Sequence, residues 1–447
     1  MKGVGAIKVK FFTLGCKTNL YESEAMAELF RKAGHTVAEA KEAAEVCVIN
    51  TCAVTATGAQ KSRRLIRRVR RENPQAVLAV MGCLAQTEEA SLRNDMGIDI
   101  LLGNKYRSKI VEFAENAVRG ISTHAVEDIL KEHDYEELGI TRGQSRVRAN
   151  LKIEDGCNNF CTYCIIPYAR GPVRSRPMDA IRREAEELGK AGYGEVVLTG
   201  IHIGSYGRDL EEEIGLMDVI ETVHQAEGIA RIRLGSLEPV LIDEEFVQRA
   251  KALPKLCPQF HMSLQSGCDA TLKRMGRRYT TEEYRRAVAL LRENLEDVAV
   301  TTDLMVGFAG ETEEEFEASY QFCKEIGFSQ MHIFPYSIRK GTAAEKMPNQ
   351  VDETTKTRRA QAMLQLAEQS KEAFYRSYLG TTVPVLMEQK KNGWYHGTTA
   401  NYMDVRVKAD GELSGMILPV RFEKYENEMI IGEIGGSYYD KTGTGKP

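Results

Sequence analysis

Gly156-Cys157-Asn158-Asn159-Phe160-Cys161-Thr162-Tyr163-Cys164-Ile165-Ile166-Pro167-Tyr168-Ala169-Arg170-Gly171-Pro172-Val173-Arg174-Ser175-Arg176 is the stretch around which the chain is organised. Cys157, Cys161 and Cys164 stand at C-x3-C-x2-C spacing in one short loop. Three thiolates so close can hold three corners of an iron–sulfur cube, whereas an ordinary electron-transfer cubane takes four cysteines. The fourth iron is then open to a ligand that is not protein. S-adenosylmethionine suits it, because its amino and carboxylate groups can chelate that iron while an electron cleaves the sulfonium. A tetrahedral zinc site needs four ligands, and no fourth cysteine or evident histidine lies nearby. A disulfide knot would leave one of the three cysteines over, and a plain core loop is the remaining alternative.

Outward from this loop, composition sets the bounds. At 447 residues, with 43% hydrophobic and 28% charged residues, the chain reads as an ordinary protein of two to four domains. Met1–Gly15 lacks a basic region followed by an apolar one, and no apolar run approaches a membrane span, so a cytoplasmic protein is expected. Ten cysteines are too dilute for a disulfide scaffold and favour cluster or catalytic roles. A net charge of −4 confines any nucleic-acid surface to a local basic patch.

Upstream, Lys8–Leu14, Val46–Thr51, Val77–Gly82 and Ile98–Leu102 read as strands alternating with helical stretches Tyr21–Ala33, Gly58–Arg71 and Thr87–Asn94. That alternation predicts a doubly wound parallel sheet, with ligands beyond the carboxyl ends of its strands. Cys16, Cys52 and Cys83 each fall just past a different strand, so three thiolates converge on one edge as a second candidate triad. The alternative is three buried core cysteines, and Cys47, inside the second strand, is read as core. The helix Gln60–Arg71 carries Lys61, Arg63, Arg64, Arg67, Arg68, Arg70 and Arg71 around a narrow seam of Leu65, Ile66 and Val69. Phosphate contacts are expected of it, against the alternative of a solvated surface helix.

Downstream, residues 123–144 read as a polar linker. From Val147, strands Arg148–Glu154, Glu195–Leu198, Ile229–Leu234, Gln259–Leu264, Val298–Asp303 and Gln330–Phe334 alternate with helices such as Asp179–Ala191, Leu216–Ala226, Thr281–Arg292 and Thr312–Ile326. Six such units predict a partial (β/α)6 TIM-like barrel with its chemistry at the C-terminal strand ends. The polar turns Thr199-Gly200-Ile201-His202, Ser236-Leu237-Glu238-Pro239, Gln265-Ser266-Gly267 and Asp303–Gly307 fall there, on the face of the cysteine loop. Val383–Glu388, Trp394–Thr399, Tyr402–Val407, Met416–Phe422 and Glu428–Ile434 then predict a small five-stranded β-barrel of the oligonucleotide-binding kind, with Trp394, Tyr395 and Tyr402 available for stacking. The expected division is 1–122, linker 123–144, 145–375 and 376–442.

With these parts placed, the whole chain resembles the radical S-adenosylmethionine methylthiotransferases, most closely the branch that modifies threonylcarbamoyladenosine in tRNA. The matching stretches are Thr13-Leu14-Gly15-Cys16-Lys17-Thr18-Asn19, Asn50-Thr51-Cys52, Gly82-Cys83, Gly156–Arg176, Leu198–Gly207 and Phe334-Pro335-Tyr336-Ser337. Ala309 stands where the family pattern has proline, and Gly235 where it has serine. The resemblance implies two [4Fe-4S] clusters, one on Cys16, Cys52 and Cys83 and one on Cys157, Cys161 and Cys164. It implies that S-adenosylmethionine is bound near Tyr163, Thr199, Gly200 and Gln265, and that the terminal barrel is an RNA-binding TRAM domain. One S-adenosylmethionine would methylate a sulfur on the first cluster, and a second, cleaved at the other, would give a 5′-deoxyadenosyl radical. That radical would abstract hydrogen from C2 of the modified adenosine beside the anticodon, and the carbon radical would take up the methylthio group. The implied partners are a tRNA anticodon stem-loop, gripped by Lys61, Arg64, Arg67, Arg68 and Arg71, and a reducing protein such as a flavodoxin or ferredoxin, with no membrane. The alternatives within the family are the isopentenyladenosine branch and the branch acting on a ribosomal-protein aspartate. Outside it stands a non-catalytic iron–sulfur protein that binds RNA or carries electrons.

Overall fold

The computed structural model describes residues 5–39, 42–93, 96–139 and 147–435. Asn94, the expected end of the third helix, lies outside these residues, as do 140–144 of the expected linker and residues 145, 146 and 436–442.

Val46–Thr51 is buried at every position, as a strand covered on both faces must be. It is the third strand of a six-stranded sheet made of β1 (Lys8–Thr13), β2 (Thr36–Val37), β3 (Val46–Thr51), β4 (Val77–Gly82), β5 (Ile100–Leu102) and β6 (Thr123–Ala125). The order is β2-β1-β3-β4-β5-β6 and every pairing is parallel. On one face Ile49, Val80 and Leu101 pack against Ile66 and Val69 of the helix Ala56–Glu72. On the other, Val9, Val48 and Met81 meet Met26 and Phe30 of the helix Lys17–Lys32, and Ile110. The winding reverses between β1 and β3, which places the ligand-accepting crevice at their carboxyl ends.

β2 and β6 were not expected, because runs of two or three residues carry no periodicity. β6 takes up the start of the stretch read as a linker, and the described part that follows is tied down by charge. Arg107 pairs with Glu136 and Arg176 with Glu137, so the acidic residues there neutralise buried arginines. The helix expected over Thr87–Asn94 is two short helices, Cys83–Thr87 and Glu89–Arg93, and the first begins at Cys83 itself.

The middle of the chain forms the partial barrel. β7 (Arg148–Lys152), β10 (Glu195–Thr199) and β11 (Arg231–Leu234) make one parallel sheet, and β12 (Gln259–His261), β13 (Ala299–Val306) and β14 (Gln330–Pro335) another. Single parallel bridges, Ile232 to Leu256 and Leu237 to Met262, join them edge to edge. Leu151, Val196, Leu198, Ile232, Phe260, Met262 and Val300 face the helices in one large core, while polar residues face the lumen. Between β7 and β10, β8 (Glu154–Asp155) and β9 (Arg174–Ser175) pair antiparallel and pinch off the cysteine loop.

The long helix Glu353–Arg376 leads to a closed barrel of β15 (Thr382–Lys391), β16 (Trp394–Thr399), β17 (Asp404–Lys408), β18 (Ile417–Glu426) and β19 (Met429–Ile434), in the order β15-β16-β17-β19-β18. It docks under the partial barrel. Arg231 donates to the carbonyls of Thr398 and Pro384, and Arg233 to those of Ala400 and Thr399. The aromatics expected to stack on RNA are used otherwise. Tyr395 is fully buried with its hydroxyl bonded to Gly411 and Leu413, and Tyr402 lies under Arg233, 4.6 Å from its ring centroid. Trp394, like Tyr402, stays partly open, with Arg406 5.2 Å from its ring.

Among the described residues no helix is long and apolar enough to cross a membrane.

Candidate active site

Cys16 follows β1, Cys52 follows β3 and Cys83 follows β4, so adjacent strands deliver the three thiols to the crevice at the winding reversal. Local contacts fix each one. Cys16 Sγ lies 3.4 Å from Asn19 Oδ1. The Cys52 N–H donates to Ser62 Oγ at 3.1 Å, and the Ser62 hydroxyl reaches the Cys52 and Gly58 carbonyls, which ties this thiol to the basic helix. Asn104 Nδ2 lies 3.7 Å from Cys83 Sγ. Gly15 and Gly58 leave room around Cys52, since a Cβ on either would fall 3.3 Å from its Cβ or 3.6 Å from its Sγ. Burial pushes the Cys52 and Cys83 thiols up, and charge on the other two cysteines of the triad adds to this in Cys83, while Arg170 opposes it.

The second triad sits in the pinched loop. Gly156 has φ +85°, and a Cβ there would lie 1.8 Å from the Pro172 carbonyl oxygen, so only glycine lets the loop close. Cys157 N–H donates to the Gly171 carbonyl, and Thr162 is bonded to Arg274, Met275 and Ala344. Burial pushes the Cys157 thiol to about 11 and the Cys164 thiol to about 12. These thiols therefore stay protonated until a metal takes the proton's place. Arg277 places Nη1 3.3 Å from Cys161 Sγ and Nη2 2.8 Å from Glu238. Against the cost of burial, a hydrogen bond from His202 and the Arg277 charge hold Glu238 down to about 2.

A buried charge cluster joins the two triads. Arg170, fully buried, reaches Glu22 at 2.7 Å, Asp155 at 3.0 Å and Asn19 Oδ1 at 2.9 Å. Lys152 reaches Glu22 at 2.9 Å and Asp155 at 2.7 Å, and Arg107 pairs with Glu22 as well. Despite burial, Arg107, Arg170 and Lys152 hold the Glu22 carboxyl well below its ordinary range, and Asp155 is depressed in the same way. Glu22 lies in the helix that starts beside Cys16, and Asp155 and Arg170 flank the cysteine loop, so the cluster sets the spacing of the two sites. Sequence reasoning missed Arg107, Arg277 and Arg339. Arg170 and Asn19 stood inside the quoted motifs, but their partners are remote in the chain.

Beside Cys16 lies a cavity of about 330 Å3. Cys16, Lys17 and Thr18 form one wall, Thr199, Gly200, Gly235 and Ser236 the upper rim, and Gln259, Arg233 and Tyr402 the floor. Thr18 Oγ1 donates to the Gly200 carbonyl, and a Cβ at Gly200 would fall 2.3 Å from Glu154 Oε1. Gly235 has no such margin either, as a Cβ would stand 3.2 Å from the Leu198 carbonyl oxygen. The surrounding protein pushes Lys17 below the ordinary lysine value, with Arg148 and Arg233 adding and Glu195 opposing. Tyr163, within the cysteine loop, is not among the cavity-lining residues and packs edge-on against Phe308. Gln265 sits at φ +64°, bridged to Leu304, and is not among the cavity-lining residues.

The basic helix sorts into two sets. Arg70 is bonded to Asp99 at 2.7 Å and to nearby carbonyls, and Arg63 pairs with Glu88, which Arg339 also meets at 3.2 Å. Lys61, Arg64, Arg67, Arg68 and Arg71 are exposed and have no ionic partner among the described residues.

Comparison with known proteins fits these parts. Residues 151–323 match the Radical SAM superfamily and residues 8–103 the Uncharacterized protein family UPF0004. Threonylcarbamoyladenosine tRNA methylthiotransferase MtaB of Bacillus subtilis is 41% identical over 93% of this chain and 94% of its own length. The chain belongs to the radical S-adenosylmethionine methylthiotransferases. MtaB of Aquifex aeolicus is 34% identical over 92% of this chain and 99% of its own. The tRNA-2-methylthio-N(6)-dimethylallyladenosine synthase of Caldicellulosiruptor saccharolyticus is also 34% identical, over 94% and 91%. The solved structure of TsrM, a radical S-adenosylmethionine methyltransferase from Kitasatospora setae, shares the fold, with a TM-score of 0.57 and 15% identity over 74% of this chain and 75% of that one.

As a methylthiotransferase the protein works with S-adenosylmethionine and two [4Fe-4S] clusters. The thiols of each set are near enough to act on one another's ionisation, and among the described residues no three such side chains already stand at metal-binding spacing. Each set of three could bind a cluster and leave one iron open. Arg277 donates to Cys161 Sγ, and Arg170 opposes the push of burial on the Cys83 thiol.

Proposed function

We propose that this protein is a tRNA-modifying enzyme that adds a methylthio group to C2 of N6-threonylcarbamoyladenosine at position 37, next to the anticodon. The observation that carries this reading is the cavity that places Cys16 and Lys17 against Thr199, Gly200, Gln259 and Thr301 of the partial barrel. Cys16 lies in its wall, and its rim residues continue into His202 and Glu238, to which Asn159 of the cysteine loop is bonded. The near full-length likeness to MtaB of Bacillus subtilis supports the choice of threonylcarbamoyladenosine.

In this reading Cys157, Cys161 and Cys164 hold one cluster and Cys16, Cys52 and Cys83 the other. When bound, the clusters and S-adenosylmethionine supply the electron, the radical and the methylthio group, which no acid–base side chain could do at an unactivated aromatic C–H. The chain's own residues bind and shield. Thr199 and Gly200 at the rim, with Tyr163 and Gln265 outside the cavity, are taken as contacts for S-adenosylmethionine, and Arg277 ties Cys161 to Glu238. Lys61, Arg64, Arg67, Arg68 and Arg71 take backbone phosphates of the anticodon stem-loop, which positions the RNA without reading it. The helix that carries them is anchored to Cys52 through Ser62, so the RNA arrives beside that triad. The terminal barrel acts as a TRAM-type module, its floor contact through Tyr402 making it part of the cavity as well. Residues 1–122, 145–375 and 376–442 serve as the three functional units, in the cytoplasm, with a flavodoxin or ferredoxin as reductant.

The test is anaerobic turnover of the reconstituted protein on an anticodon stem-loop carrying threonylcarbamoyladenosine, read by nucleoside mass spectrometry. A methylthio product is expected. Product only from isopentenyladenosine RNA would overturn the assignment.

A further inference from the structure

Nearly every charged group around the cavity already has a partner. Arg233 is held by Glu195 at 2.8 Å and by the Thr399 and Ala400 carbonyls. His261 pairs with Asp303 at 3.3 Å and meets Thr301 Oγ1 at 3.0 Å. Gln259 donates to Thr301 Oγ1 at 2.9 Å and accepts from Arg233. Lys17 differs. Its side chain lines the wall beside Cys16 and is open to the cavity, yet among the described residues no acceptor bonds its ammonium and no carboxylate pairs with it. An ammonium held in a concave wall without a counter-ion is a recognition element for an anionic group, because an incoming carboxylate forms a charge-assisted hydrogen bond that water only partly replaces.

We propose that Lys17 is the specificity-determining residue of this cavity, receiving the carboxylate that the threonyl substituent carries on the target adenosine. This rests on the reading that the substrate is threonylcarbamoyladenosine. A threonylcarbamoyl group brings a carboxylate, a hydroxyl and a urea, and the cavity answers with the Lys17 ammonium and the Gln330 amide, the Gln259 amide and Thr301 hydroxyl being already bonded to one another. A dimethylallyl group is hydrocarbon only. Seating it here would cover the Lys17 ammonium and the Gln330 amide with nothing to bond to, and sites built for polar groups reject analogues that lack them.

The experiment uses the anaerobically reconstituted holoenzyme and three anticodon stem-loops of one sequence, with adenosine, threonylcarbamoyladenosine or isopentenyladenosine at the target position. Dissociation constants are measured for wild type, Lys17→Gln and Lys17→Arg, together with the dissociation constant for S-adenosylmethionine and the cluster absorption spectrum. The loss of a hydrogen bond to a charged group predicts that Lys17→Gln weakens the threonylcarbamoyl RNA by about tenfold to a hundredfold. The unmodified RNA and S-adenosylmethionine should bind as before, and Lys17→Arg should recover most of the loss. Equal weakening of the unmodified RNA would make Lys17 a phosphate contact and overturn the inference. So would weakened S-adenosylmethionine binding, an altered cluster spectrum in both variants, or unchanged affinity for the threonylcarbamoyl RNA. Wild-type turnover on the same RNAs separates the two levels. Methylthiolation of the threonylcarbamoyl RNA with no effect of Lys17→Gln sinks the role of Lys17 alone, whereas turnover of the isopentenyl RNA only sinks the substrate assignment itself.

Discussion

Replacing Arg170 by methionine tests whether the buried charge cluster holds the two triads together. The substitution keeps most of the side-chain volume and removes a guanidinium that reaches Glu22 at 2.7 Å, Asp155 at 3.0 Å and Asn19 at 2.9 Å. Glu22 and Asp155 are almost wholly shielded from solvent, so each is left with an uncompensated share of charge. Lys152 and Arg107 still touch both carboxylates, but the cation that bonds both and also Asn19 is gone. Breaking a buried pair in this way costs ~3–5 kcal/mol. The sheet and the partial barrel that meet at this cluster form a unit of roughly 350 residues, whose unfolding entropy at ~2.1 cal/mol/K per residue is ~0.7 kcal/mol/K. The expected fall in Tm is therefore ~4–7 °C. Calorimetry of the anaerobic holoprotein reads it, with the exposed pair of Arg31 and Glu28 as control. Glu28→Gln should move Tm by no more than ~1 °C. The pH dependence has a definite sign. Both carboxyls have depressed folded pKa values, so their contribution is present above the ordinary carboxylate range and is lost as pH falls through and below it. The gap between wild type and Arg170→Met should accordingly narrow on acidification below about pH 4. A shift no larger than that of the control, or a gap that widens with acid, would refute the reasoning.

Three further outcomes follow from the same geometry. Cys161→Ala should abolish deoxyadenosine formation while leaving a spectroscopically detectable cluster, and Cys52→Ala should leave deoxyadenosine formation largely intact but stop methylthiolation. Loss of all iron from Cys52→Ala would show that the sites are not independent. Replacing Arg64, Arg67 and Arg68 together by alanine should weaken tRNA binding and lower the slope of log affinity against log salt by ~2–3, and an unchanged salt titration would reduce the helix to a solvated face. Gly156→Ala, whose new Cβ meets the Pro172 carbonyl, should cost the protein one cluster's worth of iron, and full iron content would show that the loop closes by another route.

Much of the site was legible because chemistry and topology left marks in the sequence. The C-x3-C-x2-C loop is local, and Cys16, Cys52 and Cys83 were recoverable from the rule that parallel sheets present ligands at their carboxyl strand ends. The five exposed cations of the basic helix were legible from charge, but not their separation from Arg63 and Arg70, which depends on Glu88 and Asp99 arriving from later segments. The charge cluster was invisible for a similar reason, since Glu22, Arg107, Asp155 and Arg170 share no spacing or period. Tyr395 and Tyr402 misled because an aromatic in a strand looks the same whether it faces RNA, a barrel core or a neighbouring arginine. The acidic stretch around Glu136 and Glu137 looked like a linker for want of apolar periodicity, though its carboxylates neutralise Arg107 and Arg176.

The most direct test of the account is nucleoside mass spectrometry of total tRNA from a strain lacking this protein, with and without the gene restored. The account predicts that 2-methylthio-N6-threonylcarbamoyladenosine disappears, that its unthiolated precursor accumulates, and that isopentenyladenosine products are unchanged. A deficit confined to the methylthiolated isopentenyl nucleoside, with the threonylcarbamoyl product intact, would contradict it.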